Sequence, residues 1–145
     1  MDPYDLARFI TAQEGCYAQV CAELAAGKKR SHWMWFIFPQ LRGLGHSPTA
    51  QRFALGDLAE ARAYLAHPLL GARLRECTEL TLVAQGPVEV LFGYPDHLKF
   101  HSCMTLFARA AATGDSVFRQ ALARYFDGAE DAATTGLLRA DAPAS

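Results

Sequence analysis

A mostly α-helical domain is the fold class this sequence predicts, on three observations. Apolar residues recur at three- and four-residue spacing along most of the chain. Start and stop residues punctuate them: Asp2-Pro3, Ser47-Pro48 and Asp57 with Glu60 open segments, and Gly27 and Gly128 close them. No second strand candidate exists to pair with the dense apolar stretch in the middle. The expectation is a compact multihelical bundle of about seven to eight helices with little or no sheet. Residues 1–140 form one domain and 141–145 a frayed tail.

The first helix takes Asp2 as N-cap with Pro3 at its first position. Leu6, Phe9, Ile10, Gln13, Tyr17, Val20, Cys21 and Leu24 keep helical spacing, and Gly15 is where this helix kinks or splits. Lys28-Lys29-Arg30 follows Gly27 and complements a helix C-terminus. The central segment is read as a short helix that ends before Pro39. Further helices start at Ser47-Pro48, at Asp57 with a capping-box Glu60, and after His67-Pro68. Val88 to Phe92 reads equally as a strand or one helical turn. A longer helix runs from Asp96 to Ala111, Gly114-Asp115 turns the chain into the next, and the last begins at Asp131.

Composition narrows the function. Hydrophobic residues make up 51% and charged residues 20%, so the chain folds by itself. A net charge of −1 without a basic face argues against nucleic-acid binding. No apolar run approaches the ~18 residues of a membrane span. The start Met1-Asp2-Pro3 lacks the charge and apolar run of a signal peptide. Cys16, Cys21, Cys77 and Cys103 contain no CxxC, and Cys16 and Cys21 lie too far round a helix to pair. Reduced, core-type thiols in a cytoplasmic protein are the expectation.

The organising stretch is SHWMWFIFPQLRGLG, Ser31 to Gly45. Two tryptophans and two phenylalanines sit here among His32, Gln40 and Arg42. Buried aromatics carry large apolar area, and interleaved polar groups are costly unless paired or used. Stacking on Trp33 or Trp35, an Arg42 fork and close backbone approach at Gly43 and Gly45 suit a planar, phosphate-bearing ligand. An ordinary glycine turn explains the same LRGLG run. His32, beside three cations, is read either as a neutral acceptor or as bonding a backbone carbonyl. On the helix after Asp96, Lys99, Ser102 and Thr105 share a broad face and suit a polar pocket lining. Lys99 with Ser102 is also the shape of an activated nucleophile, although helical Ser and Thr commonly bond the preceding turn instead. His97 and His101 stand four apart, but no third ligand can be named, so no metal or other cofactor is expected. Nucleotide-phosphate loops and zinc-protease motifs are absent.

Several stretches carry a family resemblance: DPYDLARF at Asp2 to Phe9, HWMWFIFPQLRGLG at His32 to Gly45, and EARAYLAHPLLGARLREC at Glu60 to Cys77. FGYPDHLKFHSCMTLFARA at Phe92 to Ala110 and the later FDGAED belong with them. Together they resemble the bacterial and fungal domain-of-unknown-function family numbered eighteen-ten, over nearly the whole chain. The resemblance implies a compact multihelical domain without an established activity. It also implies that Gln13, His32, Trp33, Trp35, Gln40, Lys99, Ser102 and Thr105 fall on the family's regular positions, whereas histidine at 97 and 101 is not required. The "calpastatin" label often attached to that family does not suit this chain, because such inhibitors are polar and disordered.

The expected function is binding of, or action on, a small nucleotide-type ligand. His32, Lys99 and Ser102 are the candidate catalytic residues, and Gln13, Trp33, Trp35, Gln40, Arg42 and Thr105 the candidate binding residues. The competing expectation is a protein-interaction or regulatory module whose aromatics are all core. Oligomeric state is not readable from the sequence.

Overall fold

The computed structural model describes residues 2–112 and 117–140; the expected turn at Gly114-Asp115 and the tail at 141–145 lie outside them. Ten helices run through the described residues, not seven to eight: α1 (Ala7–Gln13), α2 (Tyr17–Ala25), α3 (Met34–Ile37), α4 (Pro48–Arg52), α5 (Leu58–Ala66), α6 (Leu70–Val83), α7 (Val88–Phe92), α8 (Asp96–Ala110), α9 (Val117–Phe126) and α10 (Ala132–Ala140). Two local features raise the number. Gly15 adopts φ +79°, a left-handed conformation that divides the expected first helix into α1 and α2. The ambiguous Val88–Phe92 piece closes as α7.

Local chemistry explains most boundaries. Asp2 and Pro3 lie in a turn ahead of α1 and are not its N-cap and first residue: the helix starts at Ala7 after Leu6, and Asp2 accepts the backbone N–H groups of Leu6 (2.8 Å) and Ala7 (2.9 Å) from outside it. Ser47 caps α4 through Ala50 N–H at 3.1 Å, with Pro48 at its first position. Asp57 caps α5 through Glu60 N–H at 2.8 Å. Extended pairing among the described residues is one parallel bridge between Leu41 and Leu55. There Arg42 N–H donates to Leu55 C=O at 2.7 Å and Leu55 N–H to Gln40 C=O at 2.9 Å. That bridge fixes where Gln40 sits.

The core is built on α8, which packs against α5, α7, α9 and α10 and buries Phe100, Cys103, Met104, Leu106 and Phe107. On the far side α6 packs against α2, α5 and α9. Phe38, just after α3, meets Phe100 edge-on at 5.1 Å and Phe92 at 5.7 Å. The aromatic segment is thereby bound into the α7–α8 core. No helix among the described residues is long and apolar enough to cross a membrane.

Candidate functional site

The two tryptophans of the central segment part company because α3 is only one turn long. Met34 and Ile37, three apart, turn into the core and are each 2% exposed. Trp33, which precedes them, is buried as well and donates its indole N–H to Glu23 Oε1 at 2.9 Å. Trp35 falls between the buried positions and stays partly exposed. Pro39 then ends the turn, and Gln40, Leu44 and Gly45 follow along the same surface.

Opposite this surface lies α8. Asp96, Lys99 and Ser102, spaced three apart, project along one face of it. Lys99 Nζ is 3.0 Å from Asp96 Oδ1 and 4.1 Å from the centre of the Trp35 ring, a cation–π contact. Lys29 reaches the other carboxylate oxygen of Asp96 at 2.8 Å. Burial opposes ionisation of Asp96, but the hydrogen bonds from Lys29 and Lys99 outweigh it and hold this carboxyl below the usual aspartate range.

The third wall comes from the start of α10. Ser102 Oγ lies 3.0 Å from Asp131 Oδ2 and 3.1 Å from Leu98 C=O. The same Asp131 oxygen accepts Thr134 N–H at 3.1 Å and the Thr134 hydroxyl at 2.6 Å. Beneath it, Thr105 Oγ1 accepts Asp131 N–H at 2.8 Å and donates to His101 C=O at 2.9 Å. Asp131 is held at both its backbone and its carboxylate.

These walls enclose a cleft of about 260 Å³, with Trp35, Gln40 and Gly45 facing Leu98, Lys99 and Ser102, and Asp131 beside them. A smaller cleft of about 80 Å³ adjoins it, lined by Lys29, His32 and Asp96 and sharing Trp35 and Lys99 as its wall. Of the residues singled out from sequence, Trp35, Gln40, Lys99 and Ser102 line the larger cleft and His32 the smaller.

The other expected site residues lie elsewhere. Gln13 is 1% exposed, donating to Phe36 C=O at 2.9 Å and accepting from Arg73 at 3.1 Å; it ties α1 to the chain around α3 and α6. Trp33 faces Glu23, and Thr105 is fully buried under Asp131. Arg42 is exposed, with its guanidinium beside Gly56. His97 approaches Gly93 C=O at 3.3 Å, while His101 stacks on Phe126 and bonds Ala129 C=O at 2.8 Å. Among the described residues no group of three or more His, Cys, Asp or Glu is placed to hold a metal ion.

Three charged lining residues carry no site signal in the sequence. Asp96 and Asp131 are legible there only as helix starts, and Lys29 only as part of a cationic helix end. All three get their roles from long-range packing, for which local spacing carries no signal.

Comparison with known proteins places the chain. Residues 3–138 match the family described as "Protein of unknown function (DUF1810)". Among solved structures, the conserved hypothetical protein Rv1873 from Mycobacterium tuberculosis is 55% identical and superposes with a TM-score of 0.93. The match covers 95% of this chain and 99% of that one. No curated protein matches the sequence. With nearly the whole chain matched, and a relative this similar along its length, the protein belongs to this family of unknown function.

Proposed function

We propose that the cleft between the aromatic segment and α8 binds a small nucleotide-type ligand, with a planar part and an anionic part. The observation that carries the reading is Trp35 with Lys99: one partly exposed indole and one ammonium form the shared wall of two adjoining clefts. The larger, at about 260 Å³, is near the lower end of small-ligand pockets. It offers Trp35 and Leu98 as apolar surface, with Gln40, Ser102 and Asp131 to orient a polar rim. The smaller presents Lys29, Lys99 and His32 to an anionic group. Asp96 now neutralises the two lysines, and an incoming phosphate would compete with it for them.

Binding is the extent of the reading. Lys99 bonds Asp96 and Ser102 bonds Asp131, so these two are not hydrogen-bonded to one another as an activated hydroxyl and its base require.

The test is a thermal-shift panel of nucleotides, NAD-derived metabolites and sugar phosphates, followed by titration with tryptophan fluorescence. A ligand at 100 times its Kd stabilises the fold by about 2.7 kcal/mol, which at this size raises Tm by roughly 5–10 °C. Trp35→Leu and Lys99→Met should each weaken a hit by roughly tenfold or more. Unchanged affinity in both folded variants would remove the cleft from consideration.

A second reading, an interaction module, is favoured by Val90 (55% exposed), Tyr94 (82%) and Leu98 (47%), apolar residues grouped along α7 and the start of α8. A panel with no hit, together with a self-associated species on sizing chromatography that Tyr94→Ser dissolves, would select it.

A further inference from the structure

We propose a second ligand site, separate from the Trp35 cleft: the groove between α5, α8 and α10 binds an amphipathic organic anion, a phosphate or carboxylate head on an elongated apolar body. The groove measures about 370 Å³, within the range of small-ligand pockets, and has Leu58 and Leu138 as apolar surface. Three arginines rim it, each from a different helix: Arg62 on α5, Arg109 on α8 and Arg139 on α10.

The charges around this groove do not cancel. Glu130 is the carboxylate that engages them, and it is already committed: Arg109 grips it through two nitrogens at 2.6 and 2.7 Å, and Arg119 adds a third contact at 3.2 Å. Arg62 and Arg139 have no acidic partner among the described residues. A guanidinium is a planar fork matched to carboxylate and phosphate oxygens, and two of them at one apolar groove select an anion. Glu130 keeps Arg109 fixed, so the head belongs to Arg62 and Arg139.

The body of the ligand follows from what lies beyond Arg62. That side chain also borders an adjoining cleft of about 230 Å³ along α5 and α8, where Leu65, Ala66 and Ala110 supply small apolar surface beside Arg75. Apolar surface on both sides of an unpaired guanidinium suits a chain-like body with its head at the arginines, rather than bare phosphate.

Octyl phosphate is the probe, titrated calorimetrically, with octyltrimethylammonium and inorganic phosphate as comparators. Octyl phosphate should bind saturably, and the exposed double substitution R62Q/R139Q, with Tm unchanged, should weaken it by roughly tenfold or more. Inorganic phosphate should bind at least roughly tenfold more weakly than the octyl ester. Lys99→Met should leave octyl phosphate binding unchanged, which separates this site from the Trp35 cleft. No saturable binding, equal binding of the octyl cation, or full affinity in R62Q/R139Q would each overturn the proposal. Loss of affinity in Lys99→Met alone would also overturn it, placing the probe in the other cleft.

Discussion

Glu23 shows how much can rest on one side chain. It is 3% exposed, yet its carboxylate accepts from Arg30 N–H (2.6 Å), Ser31 N–H (2.9 Å), the Ser31 hydroxyl (2.6 Å), Gln19 (2.8 Å) and the Trp33 indole (2.9 Å). Burial opposes its ionisation, but the bonds from Ser31, Arg30 and Gln19 prevail and hold the carboxyl far below the usual glutamate range. Glu23→Gln keeps the shape and removes the charge, which should cost about 2–3 kcal/mol at pH 7. Because the folded-state pKa is depressed, the carboxylate's contribution is complete above the unfolded value of about 4.3. It is lost as pH falls through the depressed folded value. Denaturant titrations at pH 7 and pH 3 should therefore show a smaller gap between wild type and Glu23→Gln in acid; an equal gap at both would refute the charge's role. From sequence Glu23 reads as one more polar residue on α2. Four of its five bonds come from Arg30, Ser31 and Trp33, which return to it because the chain reverses at Gly27, which takes φ +80°, and that reversal is also what sends Trp33 inward. The two tryptophans were therefore equivalent on paper and are opposite in space.

At the scale of elements, the start signals at Ser47 and Asp57 transferred to the structure, the one at Asp2-Pro3 fell a turn early, and the ties between elements did not transfer. The Asp57/Glu60 spacing correctly announces α5, but the glutamate does not complete the box on its own N-cap. Glu60 Oε1 accepts Gly56 N–H at 2.9 Å, and Oε2 pairs with Arg8 at 3.0 Å, joining α5 to α1. Asp57→Ala removes the cap bond and should destabilise by about 1 kcal/mol in chemical denaturation. A larger loss is expected at Gly71, in the first turn of α6. A Cβ there would lie 2.1 Å from Leu65 C=O, a backbone atom at the end of α5 that has no flexible way to yield. Gly71→Ala should cost about 2–3 kcal/mol or more by forcing α5 and α6 apart. A variant within about 0.5 kcal/mol of wild type would show that the α5–α6 corner adjusts freely. The glycine was visible in PLLGARL, but the carbonyl it accommodates belongs to the preceding helix.

On the scale of the whole molecule, both the cleft and the groove are built on α8, and α8 is the centre of the core. Phe38 couples the aromatic segment to it: fully buried, it meets Phe100 at 5.1 Å, Phe92 at 5.7 Å and Trp33 at 6.1 Å. The sequence made the density of this segment plain, along with its burial, because so much apolar area in so few residues has no other stable destination. Which helix would receive it was not legible, since Phe38 and Phe100 are brought together by topology alone. This arrangement predicts that the site and the fold melt as one. Phe38→Ala should cost about 3–5 kcal/mol, lowering Tm by roughly 10 °C or more. Far-UV circular dichroism and tryptophan fluorescence should still report a single shared midpoint in wild type and in the variant. Trp33 reports the core and Trp35 the cleft wall, so Trp33→Phe and Trp35→Phe separate the two signals. If fluorescence from Trp35 alone were lost well before the helices, the cleft would be a locally unfolding unit and not a surface of the α8 core.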